Sequence, residues 1–217
     1  MSVSVDKFKA IASQKKFQGW PLIGGYQLGE KIPFFGQILK YTLQTGNGQE
    51  EYFSLLRNFG WAVVFGLTKE NKVLTLAQWK PGVNQASWEL PPGGIGKIPA
   101  GTSEAEITAT TKKIFLSETG YGNGSFQLLQ TILVETGKYR GPGPNDHGLP
   151  AYLFLATGLE KIQDARSPNR NEIMETIEVP LAEVSDIIES GLFNEVSALP
   201  CALLAMMKLE KLKWSND

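Results

Sequence analysis

The chain has 217 residues, 42% of them apolar, and a formal net charge of −1. It is long enough to bury a sizeable core, as one full domain or as one domain with a smaller appendage. The charge gives no indication of a broad surface for nucleic acids or anionic membranes. A single cysteine, Cys201, excludes an intrachain disulfide. With no bilayer-length apolar run and no secretory signal, we expect a cytoplasmic protein without membrane or nucleic-acid partners.

The N-terminal quarter predicts a hairpin behind a polar segment. Residues 1–20 are polar and mixed, and they are compatible with a short helix or an arm. Residues 37–44 and 50–57 have the composition of strands. The Gly46–Gly48 turn between them is a strong hairpin signal. Two apolar strands, 61–67 and 73–79, follow the hairpin.

The most informative stretch runs from Glu89 to Tyr121. It begins at the end of an apolar strand and turns through prolines and glycines into a loop at Gly94–Gly101. A helix is predicted from Ser103, a favourable N-cap, to Gly120, which suits a left-handed C-terminal cap. A strand, a glycine-rich loop and a helix in this order can place backbone N–H groups and a helix face around phosphates.

The remaining chain alternates strands, loops and helices. Strands are predicted at 126–134 and 151–156, with a loop at Tyr139–Pro150 between them. A polar loop at 166–171 precedes a strand that ends at Val179–Leu181. Two amphipathic helices, 181–194 and 197–213, have apolar residues at helical spacing. His147 in the first loop is expected to be solvated, and Cys201 is expected to be a buried core thiol.

The stretch from Glu89 to Tyr121 resembles the Nudix box, the signature G-x5-E-x7-R-E-U-x-E-E-x-G-U, in which U is a bulky apolar residue. The matching positions are Phe115, Glu118, Gly120 and Tyr121. Enzymes with this box cleave nucleoside diphosphates linked to another group. On that resemblance the fold is α/β (α+β), an α/β/α sandwich around a mixed sheet. A small N-terminal antiparallel β region precedes it.

Three positions depart from the box. Lys113 stands in place of arginine, and Ile114 and Ser117 stand in place of glutamates. Positions 114, 117 and 118 share one helix side, which in the family carries carboxylates for magnesium. The resemblance therefore implies Mg2+ or Mn2+ bound weakly if at all, by Glu118 and the Pro92 carbonyl. Without this context, Glu118 would be interpreted as a solvated helix carboxylate.

A second resemblance narrows the subgroup. An aromatic–basic–Pro–Gly turn at Trp79–Gly82 leads into Glu-Leu-Pro-Pro-Gly-Gly, as in ADP-ribose pyrophosphatase-like Nudix proteins. The subgroup implies acidic residues before the strand at 179–181. The implied catalytic candidates are Glu118, Glu172, Glu175 and Lys113. The implied substrate-binding candidates are Lys80, Glu89, Gly93, Gly94 and Pro144. Outside this resemblance, Glu172 and Glu175 would be interpreted as surface carboxylates.

The resemblance covers roughly residues 58–208, with a looser match from residue 36, and predicts two parts. Residues 1–57 form an arm and hairpin region, and residues 58–217 form the Nudix domain. In the subgroup the N-terminal sheet makes a homodimer and lends aromatics to the adenine site. The candidates for that role are Trp20, Phe34, Phe35 and Tyr41.

Two functions remain open. The first is hydrolysis of a nucleoside diphosphate derivative such as ADP-ribose or a nucleotide sugar, slowed by the lost carboxylates. The second is a Nudix-fold protein without hydrolysis that binds a nucleotide or serves as an interaction module. In both cases the expected partner is a small nucleotide diphosphate derivative.

Overall fold

The computed structural model describes residues 3–14, 31–32, 36–45, 48–56, 59–80, 82–97, 102–134, 139–140, 149–166, 173–193 and 195–211. The helices are α1 (Val3–Ala12), α2 (Glu104–Thr119), α3 (Val184–Glu189) and α4 (Ala198–Lys208). The strands are β1 (Lys31–Ile32), β2 (Gly36–Thr45), β3 (Gly48–Leu56), β4 (Phe59–Thr68), β5 (Lys72–Lys80), β6 (Gln85–Glu89), β7 (Pro92–Lys97), β8 (Tyr121–Gly122), β9 (Ser125–Val134), β10 (Tyr139–Arg140), β11 (Leu149–Lys161) and β12 (Met174–Pro180). None of the helices in this part of the chain is long and apolar enough to cross a membrane.

The strands form two sheets. The smaller sheet has the order β1-β2-β3-β10, and the larger has the order β12-β5-β4-β11-β8. In the larger sheet, β6 also pairs with β5, β7 with β4, and β9 with β11. The neighbours β4 and β11 run parallel, whereas their other pairings are antiparallel, so the sheet is mixed.

The larger sheet has a core on each face, because successive strand side chains point to opposite sides. On β4, Val63 and Phe65 join the core that also includes residues of α1, α3 and α4. Ala62 and Val64 join the core that contains Ile107 and Phe115 of α2, so the strand alternates as expected. This arrangement confirms the predicted α/β/α sandwich around a mixed sheet.

Helix α2 begins and ends where the sequence predicts. Ser103 is its N-cap and accepts a hydrogen bond from the Glu106 amide, and the Glu106 carboxylate accepts one from the Ser103 amide. Gly120 ends the helix at φ 77°, in the left-handed region that glycine adopts without a steric penalty. The side that this helix presents to the sheet is therefore fixed at both ends.

The N-terminal region packs against the larger sheet. The ring of Phe8 in α1 stacks on Trp88 of β6 with centroids 4.6 Å apart, and the Ser4 amide donates to Glu183 Oε2 at 2.9 Å. The hairpin at Gly46–Gly48 is confirmed, since Thr45 of β2 pairs with Gly48 of β3. The division into 1–57 and 58–217 stays a prediction.

Three segments differ from the sequence expectation. The start of the Gly94–Gly101 loop belongs to β7, because pairing with β4 outweighs the weak strand preference of its glycines. The expected loop at Tyr139–Pro150 contains β10, which pairs with β3, and the start of β11. The two C-terminal helices are shorter than predicted, and a 3-10 turn at Leu181–Glu183 precedes α3.

Candidate functional site

The turn from β6 to β7 lies between two clefts. Glu89 is the last residue of β6, and Pro92 is the first of β7. The Pro91 carbonyl accepts a hydrogen bond from the Val64 amide at 3.2 Å, which holds the turn against β4. Pro92 lines both clefts, so a ligand bound across this turn would contact both of them.

The larger space, which we call the Glu89 cleft, has a volume of about 560 Å³. Its polar wall consists of Lys80, Gln85, Ser87, Glu89, Glu195 and Ser197, and Trp61 provides an aromatic surface. The volume falls within the range of small-molecule sites, and a few converging polar groups are typical of such sites.

Glu89 is the most unusual group in this cleft. It is only 1% exposed, and its Oε1 lies 2.8 Å from Lys80 Nζ. The contact is ionic in character, since Oε1 accepts no well-directed hydrogen bond from the described residues. Burial raises the pKa of Glu89 to about 7, although the Lys80 ammonium partly opposes the shift. Lys80 also donates to Gln78 Oε1 at 2.9 Å, so its ammonium is held at the rim.

The far wall of the Glu89 cleft comes from the start of α4, which sequence reasoning missed. Glu195 Oε2 accepts hydrogen bonds from the Ser197 and Ala198 amides at 2.9 and 2.7 Å. Trp61 Nε1 donates to Ser197 Oγ at 3.1 Å across 136 residues of sequence. No short-range sequence pattern predicts a contact between residues that are so far apart in the chain.

The second cleft lies between β7 and the side of α2 that carries Ile114, Ser117 and Glu118, which we call the α2 face. It is small, and Ile114, Phe115, Gly93 and Glu118 are among the residues that line it. Ile114 packs directly over Gly93: a Cβ added at Gly93 would lie 2.2 Å from Ile114 Cγ2. An apolar side chain thus fills the position at which the box pattern has a carboxylate.

The remaining carboxylate of the α2 face has an arginine partner. Arg166 Nε and Nη2 donate to Glu118 Oε1 at 3.2 and 2.8 Å. The segment after β11 is fixed on the end of α2, because the Arg166 amide donates to the Ser117 carbonyl at 2.8 Å and the Ile162 amide donates to Gly120 at 2.9 Å. Sequence reasoning did not identify Arg166 as part of the site, since it precedes an unremarkable polar loop.

These residues do not fit a divalent metal ion. Magnesium requires several hard oxygen ligands in octahedral geometry. Ile114 offers none, Ser117 offers a neutral hydroxyl, and Glu118 is paired with a cation. Within the described ranges, no three acidic, histidine or cysteine side chains come together as a metal-binding group.

The other predicted site residues have different positions. Lys113 is exposed on α2, and Gly94 is exposed in β7. Glu175 pairs with Ala77, and directly opposed strand residues share a face. Ala77 belongs to the core on the α4 side, so Glu175 lies on the opposite face of the sheet from α2. Glu172, Pro144, His147, Trp20, Phe34 and Phe35 lie outside the described residues, as does the side chain of Tyr41.

The fold is shared with a solved hydrolase structure. A solved structure described as the crystal structure of ADP compounds hydrolase superposes with a TM-score of 0.66, covering 92% of this chain and 100% of that chain at 15% identity. At this low identity, the match shows a similarity of fold and nothing further.

Two curated proteins are similar in sequence. The methanol dehydrogenase activator of Bacillus methanolicus is 24% identical over 186 residues, covering 83% of this chain and 92% of that protein. The ADP-ribose pyrophosphatase of Bacillus subtilis (strain 168) is 26% identical over 160 residues, covering 72% and 79%. No family model matches the chain. These similarities support a relationship to ADP-ribose pyrophosphatases, as the sequence resemblance predicts, whereas the degenerate box stays a prediction.

Proposed function

We propose that the protein binds a nucleoside diphosphate linked to another group, of the ADP-ribose or nucleotide-sugar class. We further propose that it hydrolyses this ligand much more slowly than a Nudix enzyme with three helix carboxylates. The observation that carries the proposal is the Glu89 cleft, which is open, has several polar side chains in its wall and adjoins the turn leading to α2. The similarity to an ADP-ribose pyrophosphatase supports the ligand class.

The chemistry of the Glu89 cleft suits the nucleoside part of such a ligand. Carboxyl oxygens accept hydrogen bonds from ribose hydroxyls or an exocyclic amine. Trp61 offers a surface for stacking, and Lys80 supplies a positive charge beside Pro92, where a diphosphate would cross the turn. Gly94 follows along β7, and a Cβ there would meet nothing within 4 Å, so a ligand can approach the backbone at that position.

Slow hydrolysis follows from the α2 face. Stabilising the charge that develops on a phosphorus centre contributes several kcal/mol in metal-assisted enzymes. Losing about 4 kcal/mol of that stabilisation lowers a rate about a thousandfold. Glu172 stays our candidate for the general base, since Glu175 lies on the opposite face of the sheet from Glu118.

The second candidate function is binding without turnover. It is favoured by the Ile114–Gly93 contact and the Glu118–Arg166 ion pair, which together occupy the α2 face. Under either function we propose a cytoplasmic homodimer built through the N-terminal sheet. A monomeric mass measured by light scattering would rule out the homodimer.

Binding is tested by calorimetry with ADP-ribose and a UDP-sugar. Lys80→Ala is expected to weaken the affinity about tenfold or more, because it removes a charged contact at the rim. Lys72→Ala is the matched control: Lys72 lies at the other end of β5 and pairs with Glu178. Equal affinity of both variants and the wild type would place the ligand elsewhere.

Turnover is tested separately by following the release of a nucleoside monophosphate with Mg2+ or Mn2+ present. If hydrolysis occurs at the α2 face, Glu118→Gln abolishes it. If the protein only binds, no monophosphate appears while the calorimetric signal persists. Absence of both signals for every nucleotide tested would contradict the proposed function.

A further inference from the structure

We propose that Arg166 is a built-in counter-ion for Glu118, so that the protein takes its ligand as the metal-free nucleoside diphosphate ester rather than as the magnesium complex. The inference rests on the proposed function for the ligand class. Its claim about Arg166 and Glu118 can be tested without any nucleotide.

The position of Arg166 is determined by the backbone before its side chain is considered. Three amides of the segment after β11 donate to carbonyls at the end of α2: Ile162 and Gln163 to Gly120, and Arg166 to Ser117. The segment passes so close that a Cβ at Gly120 would lie 2.2 Å from the Gln163 carbonyl oxygen. The main chain at Arg166 is therefore anchored one residue from Glu118.

The guanidinium then meets the carboxylate in a well-directed contact. Two of its nitrogens donate to Oε1, at 3.2 and 2.8 Å. The Glu118 and Arg166 side chains are only 16% and 31% exposed, so water screens this pair less than an open surface pair. Arginine stays charged at any pH at which the protein folds, so the cationic partner is always present.

A divalent cation at this place would face two obstacles. It would have to displace Arg166 or accept the guanidinium charge as a close neighbour. It would also have to enter where Ile114 fills the space over Gly93. Arg166 and Ile114 thus close the α2 face to a metal by charge and by volume, whereas the Glu89 cleft beyond Pro92 stays open.

The first test measures Mn2+ binding by electron paramagnetic resonance, with the metal alone as the probe. Because Ile114 is a second obstacle, all variants carry Ile114→Ala, and Arg166→Ala is expected to bind Mn2+ at least about tenfold more tightly than the Ile114→Ala parent. Arg166→Lys keeps the charge and should behave as that parent. The double variant R166A/E118Q should lose the gain, which assigns the new site to Glu118. Lys69→Ala removes an exposed ion pair with Glu160 on the surface and is the control.

Equal Mn2+ affinity of the Ile114→Ala parent and its Arg166→Ala variant would overturn the inference, as would a gain that survives when Glu118→Gln is added. Thermal melting verifies that each variant is folded. Should Arg166→Ala fail to fold, Arg166→Gln, which keeps a hydrogen-bond donor without the charge, takes its place with the same expected gain.

The second test compares the affinity for ADP-ribose in excess EDTA and in Mg2+. The inference predicts that ADP-ribose binds in EDTA at least as tightly as in Mg2+. Binding that requires Mg2+ would overturn it. Absence of binding in both conditions would contradict the proposed function instead. The Mn2+ titration alone would then test the role of Arg166.

Discussion

The two sides of the β6–β7 turn have opposite characters. On one side, the Glu89 cleft is open to about 560 Å³ and holds a buried carboxyl beside an ammonium group. On the other side, the α2 face is filled by Ile114, and its one carboxylate is neutralised by Arg166. The two sides of one turn thus differ in volume and in charge: the Glu89 side is open, whereas the α2 side is filled and its carboxylate is paired with a cation.

The largest expected effect tests the burial of Glu89. Burial raises its pKa from 4.5 to about 7, so the folded state holds the proton more tightly than the unfolded state. The stability gained from this tighter proton binding is fully present below pH 4.5. It is lost as the pH rises from 4.5 to 7, which lowers the free energy of unfolding by about 3 kcal/mol. Glu89→Gln should remove that decline, which denaturant unfolding at a series of pH values measures.

Glu160→Gln is the control for this experiment. Hydrogen bonding by Lys69 lowers the pKa of Glu160, so its own contribution lies at more acidic pH. A wild-type free energy of unfolding that does not change between pH 5 and 7 would show that burial does not raise the pKa of Glu89. Glu89 would then not be an unusual group in this cleft.

The next effect tests the closure of the α2 face. Gly93→Ala brings a Cβ to 2.2 Å from Ile114 Cγ2, and overpacking of this kind costs about 1–3 kcal/mol. Gly94→Ala is the matched control, since a Cβ at Gly94 meets nothing within 4 Å. In an Ile114→Ala background, Gly93→Ala should cost much less, because the clashing side chain is gone. Equal melting temperatures for the two alanine variants would rule out the Ile114–Gly93 contact.

The parts that could be predicted from sequence depend on local chemistry. The ends of α2 follow from Ser103 and Gly120, since caps involve residues within one turn of the helix. The hairpin at Gly46–Gly48 is likewise a short-range signal. The single side of α2 that carries positions 114, 117 and 118 follows from helical periodicity.

The parts that could not be predicted depend on contacts between distant segments. Arg166 meets Glu118 across 48 residues, and this contact needs the segment after β11 to fold over the end of α2. The Gly94 region appeared to be a loop because glycine and proline are rare in strands, but pairing with β4 recruits it into β7. The wall at Glu195 depends on how α4 packs, which periodicity alone does not place.

The smallest expected effect distinguishes a role of the α2 N-terminus in stability from a role in ligand binding. Ser103→Ala removes the N-cap of α2 and should lower the free energy of unfolding by about 1 kcal/mol. Ligand affinity should stay the same, since Ser103 is not among the residues that line either cleft. Ser125→Ala, an exposed serine at the start of β9, is the control. A loss of affinity that exceeds the loss of stability would mean that the start of α2 itself contacts the ligand.

The contrast between the open cleft and the closed α2 face is tested most directly by phosphorus NMR of ADP-ribose titrated with the protein in the presence of Mg2+. The account predicts that both diphosphate resonances shift as the ligand binds and that they persist through the titration. Resonances that do not move, or their rapid replacement by those of monophosphates, would contradict it.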